Sequence, residues 1–286
     1  MIGLLVVLAS AFLHVIVHLA LKMAKNPTAF LWWMWAWAIV LFFPILLFTW
    51  HPIPTKAWLV ITISASFGAL YYKSITCAYQ TGELSTIYPL ARGSAPIFLL
   101  LWSVLLLEER PSWGGIFGIG LIAFGLYIIN LPKISAWKEI WQALEKPAAR
   151  WALLAGLCTS LYTTCDKFAV GFVSPLLYTY LTMLLTLLYL TPGTLKTTKL
   201  QGLLAELQTS WSKSALAGIL AMFIYIMLLW VMQRGMPASY VGAAREISVV
   251  LAVTVGTLIL KEQSTKMKLL GSSLITSGVG AIALLG

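Results

Sequence analysis

A chain of 286 residues that is 60% hydrophobic and only 10% charged is too apolar for a typical soluble domain, in which about a quarter of the residues carry charge. Its net charge of +10 comes from basic residues spread over short connections, which fits membrane orientation and argues against a nucleic-acid partner. The composition predicts a protein that crosses a lipid bilayer many times.

Apolar runs recur from one end of the chain to the other. Each can form a helix across a hydrocarbon core about 30 Å thick, which takes roughly 20 residues, and the runs lack the alternation of barrel strands. The longest polar connections, 131–148 and 192–214, are too short for a soluble domain. We predict ten transmembrane helices, at residues 2–22, 29–50, 57–79, 84–107, 113–131, 149–170, 174–192, 214–233, 238–260 and 267–285.

Basic residues in the connections predict the orientation. The connections after odd-numbered helices hold twelve Lys and Arg residues, and the opposite connections hold four. By the positive-inside rule, the first set faces the cytoplasm and both ends of the chain face outward. The first run has no charged segment before it, so it is expected to be a retained helix rather than a signal peptide. The expected location is a bacterial inner (plasma) membrane.

The chain contains an internal repeat with an offset of 153 residues and no gap. The segment that begins QTGELSTIYPLARGSAP aligns with the one that begins QRGMPASYVGAAREISV, so that Gln80 matches Gln233 and Arg92 matches Arg245. Chance matching of apolar residues does not account for these polar pairs. Because the unit has five helices, the second copy is inserted upside down, and inverted repeats of this kind are typical of transporters.

The residues around this repeat resemble a known family. The segments IYPLARGSAPIFLLLWSVLLLEERPSWGGIFGIGLIAFGLYII and SYVGAAREISVVLAVTVGTLILKE are similar to the EamA-type segments of the drug/metabolite transporter superfamily. The shared features are a small-residue helix with Pro96 near its middle, then the acidic Glu109, then a glycine-rich helix around Gly118. The second copy departs from the pattern, since Val249 stands opposite Pro96.

The resemblance implies an all-α polytopic membrane protein with ten helices in two inverted five-helix repeats. The repeats are expected at residues 1–131 and 149–286, with a linker at 132–148. A central cavity would be lined mainly by predicted helices 1, 3, 4, 6, 8 and 9. Members of the superfamily move amino acids, other metabolites, choline-like cations, drugs or nucleotide sugars.

Glycines within 114–120 and 271–280 form small-residue faces for close packing or a dimer contact.

Arg92 and Arg245 are the first candidates for solute binding. Each lies about eight residues into a predicted helix, roughly 12 Å below a membrane edge at about 1.5 Å per residue. A charge at mid-helix costs about 2.5–3.5 kcal/mol on insertion scales, so it usually faces a cavity or a partner. The two arginines either attract a carboxylate or phosphate, hold a gate, or lock predicted helices 4 and 9 together.

Glu246 directly follows Arg245, and the two side chains diverge by about 100° on a helix. Glu246 is a candidate for receiving an amine or a proton, or for pairing with an arginine across the bundle. Lys73 lies too deep in predicted helix 3 to snorkel and is a candidate for lining the cavity. With Lys73, Arg92 and Arg245 against Glu246 alone, or against Glu246 and Asp166, the cavity is net positive and suits an anionic or zwitterionic solute.

Weaker candidates complete the predicted site. His14 and His18 share one face of predicted helix 1 and either line the cavity, relay protons or form buried hydrogen bonds. No third ligand or HExxH motif accompanies them, so no metal is predicted. Asp166 and Lys167 are expected to form a pair at the membrane interface. Aromatic candidates for the cavity, some through stacking or cation–π contact, are Tyr72, Tyr88, Tyr162, Tyr225, Trp230 and Tyr240.

The leading functional prediction is a secondary or facilitative transporter of small organic metabolites that works by alternating access. Efflux of amino acids or related zwitterionic or anionic solutes is favoured. Proton coupling through Glu246 or the histidines and passive exchange are equally compatible, and no cofactor is expected. The alternative is uptake of a quaternary amine such as choline in an aromatic cage.

Other classes rank lower. A membrane-embedded enzyme or lipid-handling protein lacks support, because paired carboxylates, a GxSG nucleophile and HExxH do not occur in the sequence. The expected partners are a small-molecule solute and the lipid bilayer, with the chain as a monomer or weak homodimer.

Overall fold

The computed structural model describes residues 2–81, 84–129, 131, 146–258 and 265–286, without the side chains of residues 22, 79–81, 84–89, 256 and 258. Every regular element in those residues is an α-helix, as predicted. The helices are α1 (Ile2–Lys22), α2 (Pro27–Thr49), α3 (Thr55–Thr81), α4 (Leu84–Leu106), α5 (Trp113–Ile128), α6 (Pro147–Ala169), α7 (Pro175–Gln233), α8 (Ala238–Ala244), α9 (Ile247–Leu258) and α10 (Lys266–Leu285).

Several of these helices suit a bilayer. By length and composition, five helical stretches in the described ranges can cross a membrane, and two shorter apolar helices accompany them. The count of ten crossings stays a prediction. Capping explains some of the boundaries: Asn26 Oδ1 accepts from Ala29 N at 3.1 Å at the start of α2, and Thr265 Oγ1 accepts from Lys268 N at 3.2 Å at the start of α10. These side chains satisfy amides that a first helical turn leaves without partners.

The largest difference from the predicted helices is α7, a helical stretch of 59 residues. It replaces the two helices predicted at 174–192 and 214–233 together with the polar connection between them. Non-helical backbone at Lys199 (φ 57°, ψ 164°) and Ser210 (φ −135°, ψ 15°) divides α7 into two long arms and a short middle segment. The middle segment buries an apolar side against α2: Leu203 is buried, and Trp33 Nε1 donates to its carbonyl oxygen at 2.8 Å.

The helices form one bundle with a recognisable end. α3 and α4 pack against α6, α1 and α2 pack against α7, and α5 packs against α10. The start of α1 lies beside α7, where a Cβ atom added at Gly3 would be 3.2 Å from Val231 Cγ1. At the same end, Ser112 Oγ donates to the carbonyl oxygen of Leu285. We call this end of the bundle the N-terminal face.

α5 and α10 cross at four glycines with reciprocal contacts. A Cβ atom added at Gly118 would lie 2.7 Å from the Gly278 carbonyl oxygen, and one added at Gly278 would lie 2.6 Å from that of Gly118. Gly125 and Gly271 repeat this arrangement at 2.8 and 2.7 Å. The repeat alignment pairs Gly118 with Gly271 and Gly125 with Gly278, so it maps each contact onto the other. The glycines therefore serve close packing inside one chain.

Candidate functional site

The helix predicted at 238–260 is interrupted at its two charges. α8 ends at Ala244 and α9 begins at Ile247, so Arg245 and Glu246 form the α8–α9 junction. The backbone hydrogen bonds there join residues three apart instead of the four of a regular α-helix. Glu246 N donates to Ala243 O at 3.0 Å, and Val249 N donates to Glu246 O at 2.9 Å. A tightened turn within a longer helix often marks a functional hinge or local strain.

Glu246 is paired across the bundle with Arg92 of α4. Arg92 Nη2 lies 3.1 Å from Glu246 Oε2, and the glutamate side chain is only 3% exposed. A buried carboxylate without a counter-charge lowers stability, and the Arg92 guanidinium supplies that counter-charge between α4 and the junction. The charge of Glu246 is thereby balanced within the chain.

Arg245 has no comparable partner in the described part of the chain. Its guanidinium forms no ion pair there, and its buried Nε atom has no hydrogen-bond acceptor. The side chain borders two small pockets. A guanidinium presents a planar fork of donors that matches carboxylates and phosphates. Arg245 is therefore the point at which the site is open to an anion.

The two pockets meet at Arg245 and Thr163, which line both. The first pocket lies between α4, α6 and the junction, and is lined by Ala95, Pro96, Leu99, Thr159, Ser160, Thr163, Gly242, Arg245 and Glu246. The second lies between α6, the C-terminal arm of α7 and the junction, and is lined by Tyr162, Thr163, Asp166, Tyr225, Leu228, Leu229, Met232 and Arg245. Of the residues predicted for the site, these pockets bring together Arg245, Glu246, Tyr162 and Tyr225.

Asp166 is a site residue that the sequence reasoning placed wrongly. Its side chain is 3% exposed. Its Oδ1 atom accepts from Ser64 Oγ at 2.8 Å and from Tyr178 OH at 2.7 Å, and Oδ2 accepts from Tyr225 OH. These donors come from α3 and from both arms of α7. No sequence signal marks this cluster, because its members are distant along the chain and meet only in the folded bundle.

The expected interfacial pair between Asp166 and Lys167 is therefore wrong. Lys167 Nζ donates to the carbonyl oxygen of Met232 in the last turn of α7 at 2.7 Å and to that of Met236 in the connection to α8 at 3.0 Å. Adjacent residues on a helix point about 100° apart. Asp166 thus faces the bundle core while Lys167 binds carbonyl groups at the N-terminal face.

A row of aromatic rings leads to the second pocket. The ring centroids are 5.7 Å apart for Trp35 and Tyr72, 5.1 Å for Tyr71 and Tyr72, and 6.4 Å for Tyr71 and Tyr162. All three contacts are edge-to-face, the geometry that aromatic quadrupoles favour. Tyr72 is thus part of the row, and Tyr162 is the member that reaches the pocket.

His14 and His18 contact each other on α1. Their Nε2 atoms are 2.8 Å apart and their ring centroids 4.3 Å apart. The contact requires one ring nitrogen to donate while the other accepts. Neither ring is in the lining of the two pockets described above. Groups of three or more metal-ligating side chains do not occur in the described residues.

The remaining predicted site residues lie elsewhere. Tyr240 is buried, and its hydroxyl accepts from the backbone N–H of Ser112 at 2.8 Å. The ring of Trp230 is covered by the Arg234 guanidinium at 4.7 Å. Lys73 is exposed on α3 and is outside the lining of both pockets. The side chain of Tyr88 lies outside the described residues.

These features define a helical membrane bundle with charged residues in its core. The model of the EamA-like transporter family matches residues 1–131 and 146–284, and the chain belongs to that family. One solved structure, described only as a crystal structure of a protein, is 15% identical and shares the fold. The comparison covers 99% of this chain and 96% of that chain, with a TM-score of 0.71. No curated protein matches the chain.

Family membership confirms the resemblance seen in the sequence. The protein is a multi-pass membrane protein of a family that transports small solutes. A transporter family of this kind is generally non-enzymatic, in agreement with the low rank given to an embedded enzyme.

Proposed function

We propose that the protein moves small organic solutes that carry a carboxylate, and that Arg245 binds this carboxylate. The observation that carries the proposal is a guanidinium that borders two pockets and has no ion-pair partner in the described residues. Because Arg92 balances Glu246, the junction keeps one net positive charge for the solute. Amino acids and related zwitterionic or anionic solutes fit this charge.

Alternating access is the mechanism that the reciprocal α5–α10 contacts support. Contacts that exchange under the repeat alignment are what a two-fold axis between two copies produces. Inverted repeats related in this way can exchange conformations and so open a central site to either side of the membrane. Efflux across a bacterial inner membrane, with the chain as a monomer or weak homodimer, completes the proposal.

Uptake of a quaternary amine such as choline is the second candidate. The edge-to-face row of Trp35, Tyr72, Tyr71 and Tyr162 favours it, because aromatic faces attract cations. The positive charge of Arg245 beside Tyr162 opposes it. The two candidates therefore respond differently to removal of that charge.

The test compares Arg245→Gln with Arg234→Gln, an exposed arginine that lies on Trp230. Ligands are first found by thermal shift of the purified protein with amino acids, other carboxylates and choline, because a ligand that binds the native state stabilises it. Arg245→Gln should weaken carboxylate binding about 10- to 100-fold, the scale of a charged hydrogen bond lost, and should stop counterflow in proteoliposomes. Arg234→Gln should behave as the wild type.

Equal carboxylate binding by the two variants would contradict the role of Arg245. Choline binding that survives in both variants, together with no carboxylate binding by the wild type, would favour the second candidate.

A further inference from the structure

A second unpaired charge faces the same pocket as Arg245. Asp166 lines the second pocket, is 3% exposed, and forms no ion pair in the described part of the chain. A buried carboxylate without a counter-charge is costly even when it is hydrogen-bonded. The hydroxyls of Ser64, Tyr178 and Tyr225 offset only part of that cost. A cation entering the pocket would offset more of it.

The hydrogen bonds of Asp166 leave room for such a cation. An ionised carboxylate has about four acceptor positions, and three donors occupy them here. Two of those donors bond Oδ1, whereas within the described residues Oδ2 accepts from Tyr225 alone, and Tyr225 itself lines the pocket. The free acceptor position is therefore on Oδ2 of Asp166, whose hydrogen-bond donor Tyr225 lines the second pocket.

The second pocket has charges of opposite sign in its lining. Arg245 and Asp166 both line it without forming an ion pair with each other. The rings of Tyr162 and Tyr225 belong to the same lining and can add cation–π attraction. A solute with an anionic and a cationic group matches this arrangement better than a solute with either group alone.

We propose that Asp166 receives the protonated amino group of the solute whose carboxylate Arg245 binds. Asp166, with Tyr162 and Tyr225, would then select amino-carboxylates over plain carboxylates. The inference rests on the proposed function in one respect, the binding of the solute carboxylate by Arg245. It also moves the amine role away from Glu246, because Arg92 already balances that glutamate.

The test uses matched pairs of solutes that differ only in the amino group, such as leucine and 4-methylpentanoate, or phenylalanine and 3-phenylpropanoate. Binding is measured by calorimetry on purified protein and transport by counterflow in proteoliposomes. Wild-type protein should prefer the amino form about tenfold or more, as expected for one charge-assisted contact. Asp166→Asn should bring this preference close to one and leave binding of the plain carboxylate unchanged or tighter.

Two further variants keep the test decisive. Tyr225→Phe retains the ring but removes one donor to Asp166, and should alter the preference less than Asp166→Asn does. Glu206→Gln removes another buried carboxylate, which accepts from Asn26 N at 3.0 Å and is outside both pockets, and should keep the wild-type preference. If Asp166→Asn does not fold, two other measurements test the inference. They are the preference of Tyr225→Phe for the amino form of each solute pair and the inhibition of wild-type transport by simple alkylamines.

The outcomes separate the two proposals. An unchanged amino preference in Asp166→Asn overturns the Asp166 inference while carboxylate binding to Arg245 stands. If wild-type transport depends on pH and Asp166→Asn loses that dependence but keeps the amino preference, the inference is also overturned, since Asp166 would then bind a proton instead. Binding of amines that depends on Asp166, with no effect of Arg245→Gln, supports Asp166 and contradicts the proposed function.

Discussion

The charged residues Glu246, Asp166 and Arg245 in the bundle core have three different kinds of surroundings. Glu246 pairs with Arg92 at 3.1 Å, Asp166 accepts from hydroxyl groups, and Arg245 forms no ion pair in the described residues. A buried charge that has lost its partner costs several kcal/mol, whereas a pair removed as a unit costs much less. We infer from this ion pair that Arg92 and Glu246 hold α4 against the junction, whereas Arg245 is proposed to bind the solute.

The Arg92–Glu246 pair predicts a strong energetic coupling. Arg92→Gln and Glu246→Gln should each lower the free energy of unfolding, by up to about 3–5 kcal/mol for the loss of one partner of a buried pair. The double variant should be less destabilised than the sum of the two, with a coupling energy of about 0.5–3 kcal/mol. Unfolding in detergent measures all four proteins of the cycle. Additive effects would show that the contact contributes no coupling.

At the scale of elements, the α8–α9 junction and the α5–α10 crossing have opposite characters. The junction has a tightened turn and two charges, so it is suited to local movement. The crossing is held by glycines that allow backbone contact, and added atoms there would meet backbone oxygens. We infer that α5 and α10 form the rigid part of the bundle around which the charged core can move.

The α5–α10 crossing predicts a sharp difference between two glycines of one helix. A Cβ atom at Gly118 would lie 2.7 Å from the Gly278 carbonyl oxygen, whereas one at Gly120 would meet nothing within 4 Å. Gly118→Ala should therefore destabilise the protein by about 1–3 kcal/mol through overpacking. Gly120→Ala should be neutral or stabilising by up to about 1 kcal/mol, because alanine favours helix. Thermal unfolding in detergent compares them, and equal midpoints would contradict the close crossing.

At the scale of the whole molecule, side chains join separate helices at the N-terminal face. Glu109 Oε1, from the connection between α4 and α5, accepts from Ala238 N at 2.6 Å, and its Oε2 accepts from Ser239 Oγ at 3.1 Å. Lys167 binds carbonyl groups of the last turn of α7 and of the connection to α8. Glu262, the counterpart of Glu109 in the repeat, lies outside the described residues.

Removal of the Glu109 carboxylate should loosen the N-terminal face. Loss of a helix cap costs about 0.5–2 kcal/mol, so Glu109→Ala should speed amide hydrogen exchange in residues 238–244 by about 2- to 30-fold. The neighbouring Glu108 is exposed, so Glu108→Ala is the matched control and should leave exchange there unchanged. Hydrogen exchange followed by mass spectrometry measures both. Equal exchange in the two variants would show that Glu109 does not hold this face.

The sequence alone determined the features that depend on composition and local periodicity. These are the helical class, the family, most helix boundaries and the identity of Arg245 and Glu246 as charges within an apolar run. Such features are local, because a helix in lipid must satisfy its own backbone wherever it occurs. The tertiary structure decided which arginine pairs with Glu246, that Asp166 is buried among hydroxyls, and that the polar connection within α7 is helical. Those outcomes depend on distances between residues far apart in the chain, which only packing sets.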